Sequence, residues 1–296
     1  MKYTLTALAV LFASTLVSAQ MPAPGSGPLA RHYRDGDTLT YHMTATNEDW
    51  RYTADASGTA EKTANGSFVE EFRWTAMTSN GQPYTLTPEM AQFRQPLSLD
   101  PNWTPSIPNL TKVDPKMIGP ITDLMTFYLD LWIMNKIGIF QHPGDHFLVP
   151  NPQASSWADG TQVLIGKSAI DFDLNLQSLD PVKQTAVVVV HHVPPTHPDM
   201  QSPAAWMQVP VADTANNWIE VAKTKEGKYE AAAGKETFDV TIIVSTADGR
   251  ILSASMDNPV VTSGRECDDA ALTKCGVAKP HTIHRHIEIA LVRGSH

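Results

Sequence analysis

The stretch Glu236–Met256, ETFDVTIIVSTADGRILSASM, reads as one long β-hairpin and decides the fold class. Phe238, Val240, Ile242 and Val244 alternate with Asp239, Thr241 and Ser245, the period of two of a strand with one buried face. Asp248-Gly249 supplies the turn, and Ile251, Leu252, Ala254 and Met256 follow. A two-residue loop sets Val244 opposite Ser253 and Ile242 opposite Ser255. A three-residue loop, Ala247-Asp248-Gly249, sets Val244 opposite Leu252, Ile242 opposite Ala254 and Val240 opposite Met256. Only the second keeps apolar partners together, so it is the predicted register. It requires Gly249 at positive φ in a bulge, a conformation glycine adopts without steric cost. Ile243 and Ile251 then fall on the other face among Asp239, Thr241, Ser245, Ser253 and Ser255, which carry no catalytic grouping.

The same period recurs outward from the hairpin. Leu39, Tyr41, Met43 and Ala45 mark a first strand, and Trp50, Tyr52 and Ala54 open a second. Asn65-Gly66 is a strong hairpin turn, and Phe68 to Met77 is a third strand with Phe72, Trp74 and Ala76 on one face. Further strands are predicted at Ile170–Leu176, Gln184–Val193, Trp218–Ala222, Lys228–Ala232 and His284–Val292. One helix interrupts them. Gly119-Pro120 starts it, Ile121 to Ile137 form it, and Gly138 ends it. Its apolar residues cover nearly the whole circumference, so it is a buried helix. These elements predict a mainly β (α+β) protein: a large curved antiparallel sheet or meander, a half-barrel in outline, holding one buried apolar helix over 121–137. Two long proline-rich insertions, 83–116 and 194–210, lie within a single domain spanning 37–296, and the Pro-, Gly- and Ala-rich residues 20–36 read as a flexible lead-in.

The first nineteen residues carry Lys2, an apolar run from Leu5 to Leu16, and Val17-Ser18-Ala19, the pattern of a signal peptide cleaved after Ala19. A secreted or periplasmic protein is expected, with no transmembrane segment in the mature chain. Cys267 and Cys275 are then expected to form a local disulfide. The net charge of −9 argues against nucleic acid and anionic membranes as partners.

Two groups of residues are candidates for function. His284, His286 and Glu288 share one strand face, and two imidazoles with a carboxylate can hold zinc or another divalent metal, with His191 and His197 as further donors. Trp50, Trp74, Tyr128 and Trp132 can line a cavity for an apolar ligand between sheet and helix. No serine sits in a Gly-x-Ser-x-Gly elbow, and no nucleotide-binding motif is present. The leading expectation is an exported envelope protein without catalytic activity or cofactor, which binds an apolar small molecule or an envelope protein partner on the sheet–helix face. The alternatives are a metal-dependent extracellular enzyme using the His-x-His-x-Glu strand and a structural surface protein without a ligand. The inferred architecture is similar in outline to periplasmic carriers of lipids and lipoproteins, a likeness of fold alone.

Overall fold

The computed structural model describes residues 23–48, 50–106, 108, 110, 113–150, 162–164, 171–193, 204–207, 216–224 and 226–294. The expected signal peptide lies outside them. Fourteen strands form one antiparallel sheet, open at its ends. They are β1 (Thr38–Asn47), β2 (Trp50–Lys62), β3 (Phe68–Ser79), β4 (Gln82–Pro83), β5 (Gln95–Leu97), β6 (His146–Pro150), β7 (Gln162–Leu164) and β8 (Asp171–Asp180). The others are β9 (Thr185–Val193), β10 (Asn216–Lys223), β11 (Tyr229–Glu236), β12 (Asp239–Ser245), β13 (Ile251–Cys267) and β14 (Lys279–Gly294). The main path runs β4-β3-β2-β1-β14-β13-β12-β9-β8-β6. Two helices, α1 (Pro88–Gln92) and α2 (Pro115–Ile137), complete the described elements apart from a 3-10 turn at Ala205–Met207.

The long strand β13 explains the sheet's shape. Its first half pairs with β12 and its second half with β11, while β14 runs along its opposite edge. The sheet therefore forks: β12 leads on to β9, β8 and β6, and β11 leads to β10 and β7. Pro259 occupies the change of partner, where the missing N–H removes no ladder bond. Its carbonyl accepts the Thr237 N–H at 3.2 Å.

The hairpin register holds for Val240–Met256 and Ile242–Ala254, and Gly249 has φ 72°. The third predicted pair is shifted: Val244 faces Ile251, and a bulge displaces Leu252. The extra residue turns Ile251 inward, where it is fully buried, instead of leaving it on the outer face. Its carbonyl accepts the buried Tyr41 hydroxyl at 3.0 Å, so the disrupted ladder is partly satisfied by a side chain. A second bulge, at Thr75 between the Ala56–Trp74 and Asp55–Ala76 pairs, corrects the third strand in the same way. Ala76 is exposed and Met77 is buried.

The α2 helix starts earlier than Pro120. Asp114 caps it by accepting the Lys116 N–H at 2.9 Å, Pro115 fills the first turn, and Pro120 lies inside. Gly138, at φ 75°, ends it as predicted. Ile121, Leu124, Phe127 and Leu131 are fully buried in one core with Tyr41, Met43, Phe72, Val188, Val240, Ile242 and Ile251. The helix thus fills the inner face of the sheet, and the hairpin contributes to the floor of that core.

Residues 20–36 read as a flexible lead-in, but Leu29 and Ala30 are buried, and Arg31 and Tyr33 are partly buried. Composition does not reveal its anchors, which are tertiary. His32 N–H donates to the Asp248 carbonyl at 2.9 Å in the hairpin turn. A β-carbon on Gly249 would lie 2.2 Å from the Ala30 oxygen, so glycine is required there by contact as well as by φ. Arg31 reaches Glu70 of β3 at 2.8 Å, and both side chains are 1% exposed. Glu70 also accepts the Tyr128 hydroxyl from α2.

Replacing Arg31 with Met leaves Glu70 as a buried, uncompensated carboxylate. The expected cost is about 3–5 kcal/mol, measured as a fall in the urea-unfolding free energy. Adding Glu70→Leu to Arg31→Met should recover a large part of that loss.

Candidate functional site

The four aromatic candidates occupy different surroundings. Trp74 and Tyr128 are in the filled core, with Tyr128 between Tyr41 and Phe72 at centroid distances of 6.4 and 5.5 Å. Trp132 is partly buried and donates to the Asp100 carbonyl at 3.0 Å. Trp50 is partly buried, packs on Tyr52 at 5.1 Å and donates to Ser79 at 3.2 Å. They do not share one cavity among the described residues.

A hollow of about 480 Å³ instead lies where the first proline-rich segment passes over α1 and β5. Phe93, Pro96, Leu97, Pro108 and Val113 supply its apolar wall, and Glu89, Arg94 and Ser106 stand at it as polar groups. Local chemistry explains its position. Thr87 caps the short α1 helix by accepting the Met90 N–H at 3.3 Å, and Phe93 follows in extended backbone. The Gln95 side chain then donates to the Ile121 carbonyl at 2.9 Å, fixing β5 against α2. Arg94 is held 3.5 Å from Glu71.

On the other flank of α2, a polar cluster closes the fork. Arg285 of β14 pairs with Asp123 of the helix at 2.6 Å, and Tyr52 donates to the other Asp123 oxygen at 2.6 Å. Burial raises the Asp123 carboxyl above its usual range, and Arg285 opposes that rise. Asn258 donates to Glu236 at 3.1 Å and to the Thr237 carbonyl at 2.7 Å, filling the gap between β11 and β12. His192 stacks on Phe238 at 4.4 Å, edge-on to Phe172 at 4.8 Å, with Nδ1 3.3 Å from Glu236. Burial alone would raise the Glu236 carboxyl, but His192 and Asn258 outweigh it and hold the carboxyl low. Sequence spacing gave no sign of this cluster because its members come from seven elements, α2, β2, β8, β9, β11, β13 and β14.

The metal candidates lie on the outer face. His286 faces Asp257, Asp257 faces Asp239, Asp239 faces His191, and His191 faces Asp173, forming one lateral row across five strands. His286 Nδ1 is 2.8 Å from Asp257, and His284 Nε2 is 3.5 Å from the same oxygen. Glu288 is 3.4 Å from His286 Nε2. His191 is separated from His286 by three strand spacings, about 14 Å, too far for a shared first shell. His197 lies outside the described residues. Among the described residues no group of three or more His, Cys, Asp or Glu side chains is arranged to hold a metal ion. Cys267 and Cys275 form the expected disulfide. Beside it, Trp206 donates to the Leu272 carbonyl at 3.1 Å, joining a fragment of the second proline-rich segment to a small second core.

The fold and these features define an open antiparallel sheet that cradles one buried helix, with an apolar hollow beside it. No helix among the described residues is long and apolar enough to cross a membrane. No protein-family profile matches the sequence, and no curated protein does. The chain is similar, at a TM-score of 0.19, to MucB in a crystal structure with MucA(peri), with 10% identity over 86% of this chain and 88% of that one. A second structure, the Pseudomonas aeruginosa MucA/MucB complex, aligns over the same shares at 9% identity and a TM-score of 0.19. Scores this low carry no argument about either fold or function.

Asp130 of α2 is a buried carboxyl with one oxygen unpartnered, and burial pushes its pKa up to about 8. Its folded value exceeds the unfolded value of about 3.9. Its contribution to stability is therefore complete below pH 4 and is lost as pH rises through 8. Asp130→Asn should raise the urea midpoint at pH 8–9 and change it little near pH 4. The slope it removes approaches about 1 kcal/mol per pH unit.

Proposed function

We propose that the protein is an exported, non-catalytic binding protein that takes an apolar small molecule in the hollow over α1 and β5. The observation that carries this reading is the hollow itself. At about 480 Å³, with Phe93, Pro96, Leu97, Pro108 and Val113 on its wall, it has the size and lining of a small-molecule site. Glu89, Arg94 and Ser106 give an otherwise apolar pocket the few polar groups that orient a ligand. The filled core elsewhere supports the choice, because the helix leaves little room over the hairpin and the first three strands. Export is supported by the N-terminal pattern of Lys2, Leu5–Leu16 and Val17-Ser18-Ala19, and by the disulfide.

Titration with the fluorescent apolar probe N-phenyl-1-naphthylamine tests the proposal. Saturable binding is expected, weakened about tenfold or more by Phe93→Ala, in keeping with the loss of an aromatic wall. Ser106→Trp, which fills the hollow from its exposed rim, should abolish binding while leaving the melting temperature unchanged. Undiminished probe binding by both variants would remove the hollow as the site. A protein that takes up no probe, and from which solvent extracts no apolar molecule, would remove the function.

A further inference from the structure

Eight of the nine described histidines lie within 4.0 Å of a carboxylate oxygen: His42, His142, His146, His191, His192, His281, His284 and His286. Four of these contacts connect different neighbouring strands on the outer face. His42 of β1 meets Asp55 of β2 at 2.6 Å, and His286 of β14 meets Asp257 of β13 at 2.8 Å. His191 of β9 meets Asp239 of β12 at 2.6 Å, and His146 of β6 meets Asp173 of β8 at 3.3 Å. In the order β2-β1-β14-β13-β12-β9-β8-β6, each strand is used once.

We propose that these contacts are a proton-operated fastening that tightens the sheet as pH falls through the range in which histidines titrate. With neutral imidazoles, Asp257 and Asp239 face each other directly, and Asp173 stands one strand beyond His191 in the same row. Like charges opposed across a strand pair are destabilising. A proton on His286 and another on His191 place a cation beside each member of the Asp257–Asp239 pair, and each neutral contact becomes an ion pair. Apart from the other histidines and Arg51, the charged groups facing the row are carboxylates. His286 faces Asp257 across β13 and Glu288 on its own strand, while His284 shares Asp257, and Arg51 lies beyond Thr46. His191 lies between Asp239 and Asp173, His146 shares Asp173, and His42 lies beside Asp55 of β2 and opposite Ala290 of β14, with Glu288 of β14 on the same face. The His286 imidazole is held above its usual range, chiefly by its hydrogen bond to Asp257. A group raised on folding contributes stability that is complete below its unfolded value and is lost as pH rises through its folded value. The His286–Asp257 contact therefore strengthens the sheet toward pH 6 and weakens it toward pH 8.

The test uses the full chain carrying Asp130→Asn, so that the buried carboxyl of α2 does not contribute to the same slope. The melting temperature is measured at pH 8 and pH 6, with and without His42→Gln, His191→Gln and His286→Gln together. A rise of about 3–6 °C on acidification is expected in the parent, of which the triple variant should lose at least half. Added salt at 0.5 M should shrink the rise, because exposed pairs are screened. An unchanged rise in the triple variant, or none in the parent, overturns the proposal. Should the triple variant not fold, NMR titration of the His286 ring decides. A midpoint above about 6.5 that falls on Asp257→Asn supports the fastening, and one at or below that value refutes it.

Discussion

The Glu70 carboxylate is the point on which the assembly of this chain depends. It is fully enclosed, and it accepts from Arg31 in the N-terminal segment and from Tyr128 in α2 while itself belonging to β3. Three pieces distant in sequence are thereby required to meet at one charge. Burial raises the Tyr128 hydroxyl far above its usual value, and Glu70 adds to that, so the tyrosine remains a donor at every physiological pH. The same device recurs twice. Arg250 in the hairpin turn meets Asp37 at the entrance to β1 at 2.8 Å, and Arg285 of β14 meets Asp123 of the helix. Buried ion pairs add little net stability compared with apolar packing of similar volume, because desolvation offsets their attraction. Their effect here is positional. An apolar core of Leu, Ile, Met and Val tolerates sliding, whereas an arginine at its edge is satisfied only where a carboxylate meets it.

These pairs also explain why the N-terminal segment is part of the domain. Its prolines and glycines give it no periodic signal, yet Leu29 and Ala30 are buried and Tyr33 stacks on Phe68 at 5.3 Å. The hairpin turn that receives it is tight enough to exclude any side chain at Gly249. The hairpin and the lead-in are therefore one structural unit: the turn conformation creates the space, and Arg31 passes over it to Glu70.

The legible part of the fold is what a single strand or helix encodes locally. Alternation identified the faces of β1, β8 and β12, and the all-round apolar character of 121–137 identified a buried helix. The disulfide followed from cysteine number and expected compartment. What escaped was set by one-residue irregularities and by long-range partners. A bulge inverts the side chains on one side of it relative to the other, which is why Ile251 and Met77 are inside and Ala76 is outside. Pro120 resembled a helix start because the better one, Asp114-Pro115, sits at the end of a segment whose prolines obscure periodicity. The histidine strand was seen, but its partners Asp257 and Asp239 became meaningful only once the register placed them in the same row as His191.

The same reasoning places the hollow. Strands and helices fill space because their backbones satisfy themselves and their side chains interdigitate. A proline-rich segment cannot add ladder bonds at each residue and so stands off from the elements it crosses. Here it is held where β5 pairs with Glu70–Phe72 of β3, where Leu99 to Pro101 bond to Tyr33, Trp132, Asn135 and Lys136, and where Asp114 begins α2. Ser106, Pro108 and Val113 of that segment line the hollow together with Phe93 and Leu97. Glu70 is thus connected to the hollow through β5: it fixes β3, β3 pairs with Leu97 at that very residue, and Leu97 forms part of the hollow's wall. The charge that organises the core also sets the position of the apolar wall beside it.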